Sequence, residues 1–512
     1  MPLSPRTRGR LLWSVIVLGA VYRAWGFWEP SLWVDEFVTE WILRGATLGE
    51  VTERARYAYM PPLYFWICKP FVEVLGISAL SVRLPAVIFG TLGLVTLHRL
   101  VRLTCGARIA FAAVAIAAAH PEALWYSQEA RVYSFGMMVA PLAIEAAWTA
   151  SLTGRRGPLV RYVLSSAALL WAHHLFAPII AALAAWLLWR SRTGGLVAPR
   201  RWLAAHAAIA ALCALPAWWA LSTVAAGRIP EATRGPATLE SLAAGWRLPE
   251  LAVLLLLGAL AGVVATRLPP GRSLEPPSPP VAAAGLFALL LLAVPAAQTA
   301  LGVALDRPFY MVRYRMPVAM LIAPLLAWLV LAVLPLRRPA VAMGTIAVLL
   351  HLVFPVRMLL TSGQASYHQA DTRWDDVLAR VESEWRPGTV VLFQNPLQEW
   401  VLVDERVDPA LEGLLLSPLH SHYVRAPMDR SFALPPRGER LSRVVDARLA
   451  ATDPDRVIVV AWTPDAQPPP VPSHPGWTRR SEQIWNATVT VAERQELATA
   501  PQSKHHQGLA VR

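Results

Sequence analysis

Charged residues, lysine and cysteine are all scarce in this chain of 512 residues. Only 16% of the residues are charged, against about a quarter in a typical soluble domain. This scarcity, with a mean hydropathy of +0.42, excludes an ordinary soluble protein and indicates a membrane protein. The three cysteines, Cys68, Cys105 and Cys213, are scattered through apolar sequence, which excludes a disulfide framework and a cysteine-based metal site.

Lysine occurs only at Lys69 and Lys504, so arginine supplies nearly all of the basic charge, and the net charge is +13. Such a balance can indicate a nucleic-acid partner. However, the arginines lie between hydrophobic runs instead of gathering on one segment. This distribution fits membrane topology, and we expect no nucleic-acid binding.

About eleven hydrophobic runs are long enough to predict membrane-spanning helices. The loops between them alternate between short, arginine-rich loops and loops that carry acidic residues. By the positive-inside rule, this alternation predicts a multi-pass protein of the plasma (inner) membrane with a cytoplasmic N-terminus. The runs cover residues 11–28, 80–101, 109–126, 133–151, 159–173, 175–189, 202–220, 250–266, 281–301, 316–336 and 340–356.

The first external loop departs from this pattern. Residues 61–76 are apolar but short and contain Lys69-Pro70, so we predict a helix that lies in the external interface of the membrane. Residues 36–57 have the pattern of a short amphipathic helix. Residues 29–79 are therefore predicted to form a structured external loop, and loops of this length are usually functional.

The composition of the sequence changes after residue 357: hydrophobic runs become shorter, and prolines and charged residues become more frequent. A helical pattern at 374–385 and strand-like pieces at 389–393 and 456–460 predict a small α/β domain. An odd number of spans places this domain outside the cytoplasm.

The predicted fold class is an all-α polytopic membrane protein with a small C-terminal extracytoplasmic α/β domain. The membrane domain covers residues 1–357 and the α/β domain residues 358–498. Residues 499–512 are polar and are predicted to be a disordered tail.

Polar residues gather in three external loops at the same predicted membrane depth. Carboxylates and arginines that converge at a membrane surface suit a reaction on a phosphate-bearing lipid. Arginines bind phosphate bidentately, one carboxylate takes a proton from an attacking hydroxyl, and another holds a divalent metal. The residues are Asp35 and Glu36 in the first loop, Tyr126, Gln128, Glu129, Arg131 and Tyr133 in the second, and Arg313 and Arg315 in the third, with Arg23 in the outer part of the first span.

Several of these residues also have a purely structural interpretation. A carboxylate and an arginine that are close in sequence can pair to anchor a helix end. Interfacial arginines can simply extend to the membrane surface, and histidines at the end of a hairpin can form a polar turn. The residues with such an alternative are Glu129 with Arg131, Arg313 with Arg315, and His173 with His174.

A series of motifs along the chain resembles bacterial glycosyltransferases of the GT-C fold. The resemblance is to the family of dolichyl-phosphate-mannose protein mannosyltransferases and lipid A aminoarabinose transferases, and it covers most of residues 11–395. No single motif is specific, but their order is. The motifs are Trp33-Val34-Asp35-Glu36, Pro61-Pro62-Leu63-Tyr64, Val82-Arg83-Leu84-Pro85-Ala86, Tyr126-Ser127-Gln128-Glu129-Ala130-Arg131-Val132-Tyr133, Arg313-Tyr314-Arg315-Met316-Pro317 and Arg373-Trp374.

The resemblance implies transfer of a sugar from a polyprenyl-phosphate donor to an extracytoplasmic acceptor, which is a cell-envelope glycan, lipid or protein. It implies that Asp35 is the general base, that Glu36 supports it, and that Glu129 binds the donor or a divalent metal, Mg²⁺ or Mn²⁺. Direct attack by the acceptor would invert the anomeric carbon. The expected donor-phosphate contacts are Arg23, Lys69, Arg131, Arg313 and Arg315, and the expected substrate contacts are Tyr64, Tyr126, Gln128, Tyr133, His173 and His174.

One departure from the family pattern concerns the residue before Pro61-Pro62. The family usually has a His or Lys there, a candidate phosphate contact, whereas this chain has Met60. Lys69, Arg23 or Arg131 would then substitute for it.

Two other functions share part of this pattern. A lipid-linked polysaccharide polymerase or ligase needs the arginines but not an Asp-Glu pair directly after the first span. A lipid flippase or transporter would place charges at the bilayer midplane and show inverted repeats. The sequence shows no such repeat and its charges gather at one face, which favours the transferase.

Overall fold

The chain divides into two compact units. The membrane unit comprises Met1–Pro30 and Ile42–Gln369, and the C-terminal unit comprises Ser31–Trp41 and Ala370–Arg512. Relative to the predicted division at residue 357, part of the first external loop thus groups with the C-terminal unit. The computed structural model describes residues 5–193, 195–225, 281–305, 312–333, 373–395, 397, 403–404, 407–435, 439–462 and 477–494.

The described part of the membrane unit is built of helices joined by turns. Its first half contains α1 Pro5–Ala24, α2 Val34–Leu43 (whose first residues belong to the C-terminal unit), α3 Leu48–Tyr57, α4 Leu63–Leu75, α5 Ala79–Cys105, α6 Ala107–Ala118, α7 Pro121–Trp125 and α8 Tyr133–Thr153. Its second half contains α9 Arg156–Ala172, a 3₁₀ turn His174–Phe176, α10 Ala177–Arg192, α11 Pro199–Leu212, α12 Ala214–Ala225, α13 Val281–Leu305, α14 Val312–Ala319 and α15 Ile322–Val333.

Four described helices are long and apolar enough to cross a membrane, and a pair of helices bent by 55° is a fifth candidate. All five coincide with predicted spans. The predicted spans at 250–266 and 340–356 lie outside the described residues. The candidates are Ala79–Cys105, Tyr133–Thr153, His174–Arg192, Gly285–Ala304 and the bent pair Pro199–Leu212 with Ala214–Ser222.

Three predicted helices are each interrupted. The span predicted at 109–126 is wrong as one helix, because α6 ends at Ala118 and His120-Pro121 begins the one-turn α7. Proline suits the first turn of a helix, and the His120 ring accepts the backbone N–H of Ala123 at 3.4 Å. The helix predicted at 36–57 divides into α2 and α3, and the span at 316–336 divides between α14 and α15.

Glycines allow close approach between the helices of the membrane unit. A Cβ atom on Gly90 of α5 would lie 2.0 Å from Ser127 Oγ, and one on Gly136 of α8 would lie 2.6 Å from the Pro317 ring of α14. Small residues at such crossings are typical of membrane helices, whose association depends on close van der Waals packing. Gly90 and Gly136 therefore fix how near the second loop and α14 come to the helices beside them.

The C-terminal unit contains a five-stranded sheet in the order β2-β1-β3-β5-β4. β1 is parallel to β2 and β3, and β5 is antiparallel to β3 and β4. The four residues of β1 are all buried, as expected for a parallel strand covered on both faces. The described elements are α16 Trp374–Glu384, β1 Val390–Phe393, α17 Pro409–Leu415, β2 Ser431–Ala433, α18 Glu439–Thr452, β3 Arg456–Trp462, β4 Trp477–Ile484 and β5 Ala487–Arg494.

The predicted α/β domain is confirmed in its first helix and in its two predicted strands, which the structure forms as α16, β1 and β3. Its core lies between the strands and α18, where Leu441 and Val444 pack against Val390 and Val457. Val390 and Val457 lie on one face of the sheet, and Val391 and Ile458, on the other face, are also buried. Burial of both faces explains the continuous apolar runs in β1 and β3.

Candidate active site

Aromatic and imidazole rings from separate parts of the membrane unit meet at one end of α8 and α9. Tyr133 begins α8, His173 follows α9, and Tyr314 lies in α14. The ring centres are 6.4 Å apart for Tyr133 and His173, 6.3 Å for Tyr133 and Tyr314, and 5.3 Å for His173 and Tyr314. Tyr126 adds a fourth ring, 5.2 Å from Tyr133. We call these four residues the ring cluster; it unites the second loop, the third loop and the histidine turn.

Arginines surround the ring cluster. The guanidinium carbon of Arg313 lies 5.3 Å from the centre of the Tyr314 ring, a cation–π distance. Arg131, Arg313 and Arg315 are all half-buried, whereas Glu129 is almost completely buried. Among the described residues named here, three arginines and one carboxylate therefore lie around the ring cluster, and their net charge is positive.

The electrostatics of the rings reflect these neighbours. Burial, followed by the charges of His174, Arg131 and Arg313, holds the pKa of His173 well below its ordinary value of 6.5. Burial, followed by the Glu129 charge, raises the pKa of Tyr126. At neutral pH, His173 is therefore an uncharged imidazole and Tyr126 an uncharged phenol.

The histidine turn has a local structural cause. His173 Nδ1 accepts the backbone N–H of Leu175 at 3.1 Å and so caps the 3₁₀ turn. Because Nδ1 is the acceptor, the ring proton of the neutral imidazole lies on Nε2. The polar-turn interpretation is thus correct for Nδ1, and the Nε2–H group is the donor that His173 can present to a ligand.

Gln298 fastens two parts of the cluster together. Its side-chain amide donates to the backbone carbonyl of Leu175 at 3.2 Å and to that of Tyr314 at 3.1 Å. The residue is 1% exposed and lies in the apolar helix α13. The sequence reasoning missed it, although a carboxamide inside an otherwise apolar span was an available signal.

The structure places two other predicted site residues at helix ends. Arg23 is 1% exposed, and its guanidinium donates to the carbonyls of Gly19, Ala117 and Ala118 at 3.0, 3.4 and 3.2 Å. Gln128 Nε2 donates to carbonyls at the end of α1, including that of Trp25 at 2.9 Å. Apart from that of Gly19, these carbonyls lie at or just beyond the ends of α1 and α6, where intrahelical N–H donors run out, so the contacts favour structural roles for both residues.

Lys69 and Tyr64 of α4 also make contacts that suit structural roles. Lys69 Nζ donates to the carbonyl of Leu43, the last residue of α2, at 3.0 Å. The Tyr64 ring is fully buried, 6.3 Å from the ring of Phe89. Among the donor contacts predicted from the sequence, the structure therefore gathers Arg131, Arg313 and Arg315 and gives Arg23 and Lys69 helix-capping contacts.

Asp35 and Glu36 occupy the first turn of α2, in the part of that helix that belongs to the C-terminal unit. Glu36 is fully buried, and its Oε2 accepts the backbone N–H of Trp33 at 3.4 Å. This contact is the return half of a capping box, which accounts structurally for an acid at the third helical position. Asp35 is half-buried in the same turn.

The expected divalent metal stays a prediction. No group of three or more His, Cys, Asp or Glu side chains in that part of the chain is arranged to hold a metal ion. Glu129, the predicted ligand, lies among arginines, whose charge opposes a cation. We therefore derive no chemical step through a metal.

Comparison with known proteins supports one family. Residues 59–219 match the family model of the dolichyl-phosphate-mannose-protein mannosyltransferases. No curated protein sequence matches the chain. The matched segment contains α4 to α11, and therefore the second loop and the histidine turn of the ring cluster.

Two solved structures share the fold. ArnT from Cupriavidus metallidurans in the apo state is 16% identical, with 96% of this chain and 98% of that chain covered, at a TM-score of 0.53. The arabinofuranosyltransferase AftD from Mycobacteria is 16% identical, with 96% of this chain and 42% of that chain covered, at a TM-score of 0.50. The family match and the shared fold confirm the resemblance drawn from the motifs: this chain is a membrane glycosyltransferase of the GT-C fold, similar to the dolichyl-phosphate-mannose protein mannosyltransferases.

Proposed function

We propose that this glycosyltransferase moves a sugar from a polyprenyl-phosphate donor to an extracytoplasmic acceptor of the cell envelope, with inversion of the anomeric carbon. The observation that carries the proposal is the ring cluster with its three arginines. A positively charged site with aromatic walls at one end of apolar helices suits a phosphate on a lipid chain. ArnT from Cupriavidus metallidurans has also been solved bound to undecaprenyl phosphate.

Donor binding is assigned to Arg131, Arg313 and Arg315. Guanidinium groups bind phosphate through paired N–H donors, and they remain charged at every physiological pH. The same charges stabilise the polyprenyl phosphate as it leaves the sugar. The neutral His173, with its proton on Nε2, adds a hydrogen-bond donor without a titrating charge.

Acceptor activation is assigned to Asp35. An acceptor hydroxyl is a poor nucleophile at neutral pH, so transfer needs a positioned base. Asp35 follows the first span directly, lies in the Trp33-Val34-Asp35-Glu36 motif, and is half-buried in the first turn of α2. Direct attack by the activated hydroxyl breaks the bond from the anomeric carbon to the phosphate oxygen and inverts that carbon.

The proposed orientation has a cytoplasmic N-terminus and an extracytoplasmic C-terminal unit. Arg99 of α5 and Arg161 of α9 approach Glu145 of α8 at 3.1 and 3.7 Å, toward the helix ends that face the arginine-rich loops. A cytoplasmic location of those loops satisfies the positive-inside rule. Periplasmic reporters fused after residue 357 should be active and those fused after Arg156 inactive; the reverse pattern would overturn the orientation.

The function is tested with the full-length protein in nanodiscs and a panel of undecaprenyl-phosphate sugars. Release of undecaprenyl phosphate, followed by mass spectrometry, should identify a donor, and NMR of the product should show the inverted anomer. Asp35→Asn keeps the shape of the side chain but is a far weaker base. We expect it to bind undecaprenyl phosphate normally and to transfer sugar at least about 100-fold more slowly.

Glu53→Gln is the matched control, because Glu53 is an exposed acid of the same external loop. Turnover by Asp35→Asn close to that of Glu53→Gln would show that the base is another residue, with Glu36 and Glu129 the next to test. A product with retained configuration would contradict the direct-attack mechanism.

A further inference from the structure

The segment Ser31–Trp41, which contains Asp35, is built into the C-terminal unit by contacts that cross more than 300 positions of sequence. Ser31 Oγ accepts the backbone N–H of Asp375 in the first turn of α16, at 3.1 Å. The backbone N–H of Leu32 donates to the hydroxyl of Tyr423 at 3.1 Å. Ser31 and Leu32, shortly before α2, are thus held by hydrogen bonds to α16 and to Tyr423.

Glu40, in the second turn of α2, supplies a second anchor. The residue is 1% exposed, and both of its carboxylate oxygens accept hydrogen bonds from His422. The backbone N–H of His422 lies 2.9 Å from Oε1, and Nδ1 of the same residue lies 3.0 Å from Oε2. A buried carboxylate is stable only when it is fully hydrogen-bonded, so this pairing strongly favours one position of the helix.

Phe37 completes the anchored face of α2. Its ring is fully buried and meets the rings of Trp374 and Tyr423 edge-on, with centres 6.4 and 6.1 Å apart. Phe37 and Glu40 are three residues apart and therefore share a face. At about 100° per residue, Asp35 lies roughly 160° from Phe37 and 140° from Glu40 around the helix axis. The anchors thus hold one side of α2 and leave Asp35 on the other.

We propose that His422 and Tyr423 are positioning residues for Asp35, acting through Glu40, Phe37 and Leu32. This inference rests on the proposed function, in which Asp35 is the base. A base must lie within hydrogen-bonding reach of the proton it removes, and a displacement of about 1 Å can cost about 100-fold in rate. The C-terminal unit therefore sets the orientation of the residue that activates the acceptor.

The test uses the full-length protein in nanodiscs and compares His422→Ala, His422→Asn and His420→Ala. Asparagine retains an N–H donor one bond from Cγ, where histidine has Nδ1, and it lacks the ring. His420 is exposed and two residues away, so His420→Ala controls for loss of an imidazole from this loop. Three quantities are measured: kcat with the donor identified above, the affinity for undecaprenyl phosphate, and hydrogen exchange in residues 31–41.

We expect His422→Ala to lower kcat about 10-fold, to leave the affinity for undecaprenyl phosphate unchanged, and to increase hydrogen exchange in residues 31–41. His422→Asn should recover most of the rate, and His420→Ala should match the wild type. The loss of kcat in the double variant Glu40→Gln with His422→Ala should be less than the sum of the two single losses, because both substitutions remove the same contact.

Two results would overturn the inference. Normal kcat in His422→Ala, together with faster exchange in residues 31–41, would show that the contact anchors the segment without positioning the base. Equal loss of rate in His422→Ala and His422→Asn would show that the hydrogen bond to Glu40 is not what matters. A wild-type protein without transferase activity would instead refute the proposed function and the positioning role with it, whereas the exchange data would still report whether His422 holds the segment.

Discussion

Two regions of the membrane unit contain buried or half-buried cations and use them in opposite ways. At the ends of α1, α2 and α6, Arg23, Arg83 and Lys69 donate to backbone carbonyls. In the ring cluster, Arg313 lies against an aromatic ring, and its charge, with that of Arg131, acts on the His173 imidazole. The first set satisfies buried backbone carbonyls at or near helix ends, and the second concentrates positive charge beside aromatic walls.

The difference shows that an arginine at the right membrane depth is not by itself evidence for a phosphate site. Arg83 illustrates the point, because its guanidinium donates to the carbonyls of Phe27 at 3.0 Å and Pro30 at 2.8 Å. These contacts hold the chain where it leaves α1. The second set is marked by aromatic neighbours: Arg313 lies over the Tyr314 ring, and the charges of Arg131 and Arg313 act on the His173 imidazole.

The largest effect should follow from removing a cation of the ring cluster. Arg131→Ala takes away a charge that we assign to the donor phosphate, and loss of a charged hydrogen-bonding partner in a buried site costs several kcal/mol. We expect the affinity for undecaprenyl phosphate to fall on the order of 100-fold. Arg102→Ala, at an exposed position of α5, is the matched control. Equal affinities of the two variants would show that Arg131 is structural.

A change in the first set should affect stability instead. Arg23→Ala removes the guanidinium that donates to the carbonyls of Gly19, Ala117 and Ala118 and to the Ser127 hydroxyl, at a cost of about 2–4 kcal/mol in the free energy of unfolding. The thermal unfolding midpoint, followed by tryptophan fluorescence, should fall clearly, while the folded fraction should bind undecaprenyl phosphate normally. Weaker binding of undecaprenyl phosphate with an unchanged unfolding midpoint would instead show that Arg23 contacts the donor, as predicted from the sequence.

The sequence predicted the parts of this molecule that depend on local pattern. Apolar length identified the described spans, because a bilayer imposes a minimum number of apolar residues. Polar loops at one depth identified Tyr126 and Tyr133, and the family resemblance added His173; the structure brings the three rings together. The α/β domain was predicted from its buried, valine-rich strands, whereas β4 is mostly exposed and has no comparable apolar pattern.

The sequence could not assign individual polar residues to partners far away along the chain. Arg23 and Arg131 are the same residue type at the same predicted depth, and only the folded structure shows that Arg23 meets the end of α6. Likewise, nothing local indicates that Glu40 pairs with His422, 382 positions later. Such contacts depend on the tertiary arrangement, which hydrophobic periodicity does not specify.

The smallest of the expected effects concerns the residue that fastens the ring cluster. Gln298→Leu preserves the size of the side chain but removes the two N–H donors that bind the carbonyls of Leu175 and Tyr314. The rings of His173 and Tyr314 would then be held mainly by packing. Since a displacement of about 1 Å can cost about 100-fold in rate, we expect a partial displacement to lower kcat/KM about 10-fold.

Ala297→Leu is the matched control for this variant, since it adds a leucine at an exposed position of the same helix. Gln298→Asn sharpens the experiment, because its amide is one methylene shorter and should reach one carbonyl but not both. If the kcat/KM of Gln298→Asn lies between those of the wild type and Gln298→Leu, the rate follows the number of hydrogen bonds that hold the cluster. If Gln298→Leu and Ala297→Leu instead have equal kcat/KM, the arginines and rings keep their arrangement without the amide. Packing alone then determines the ring cluster.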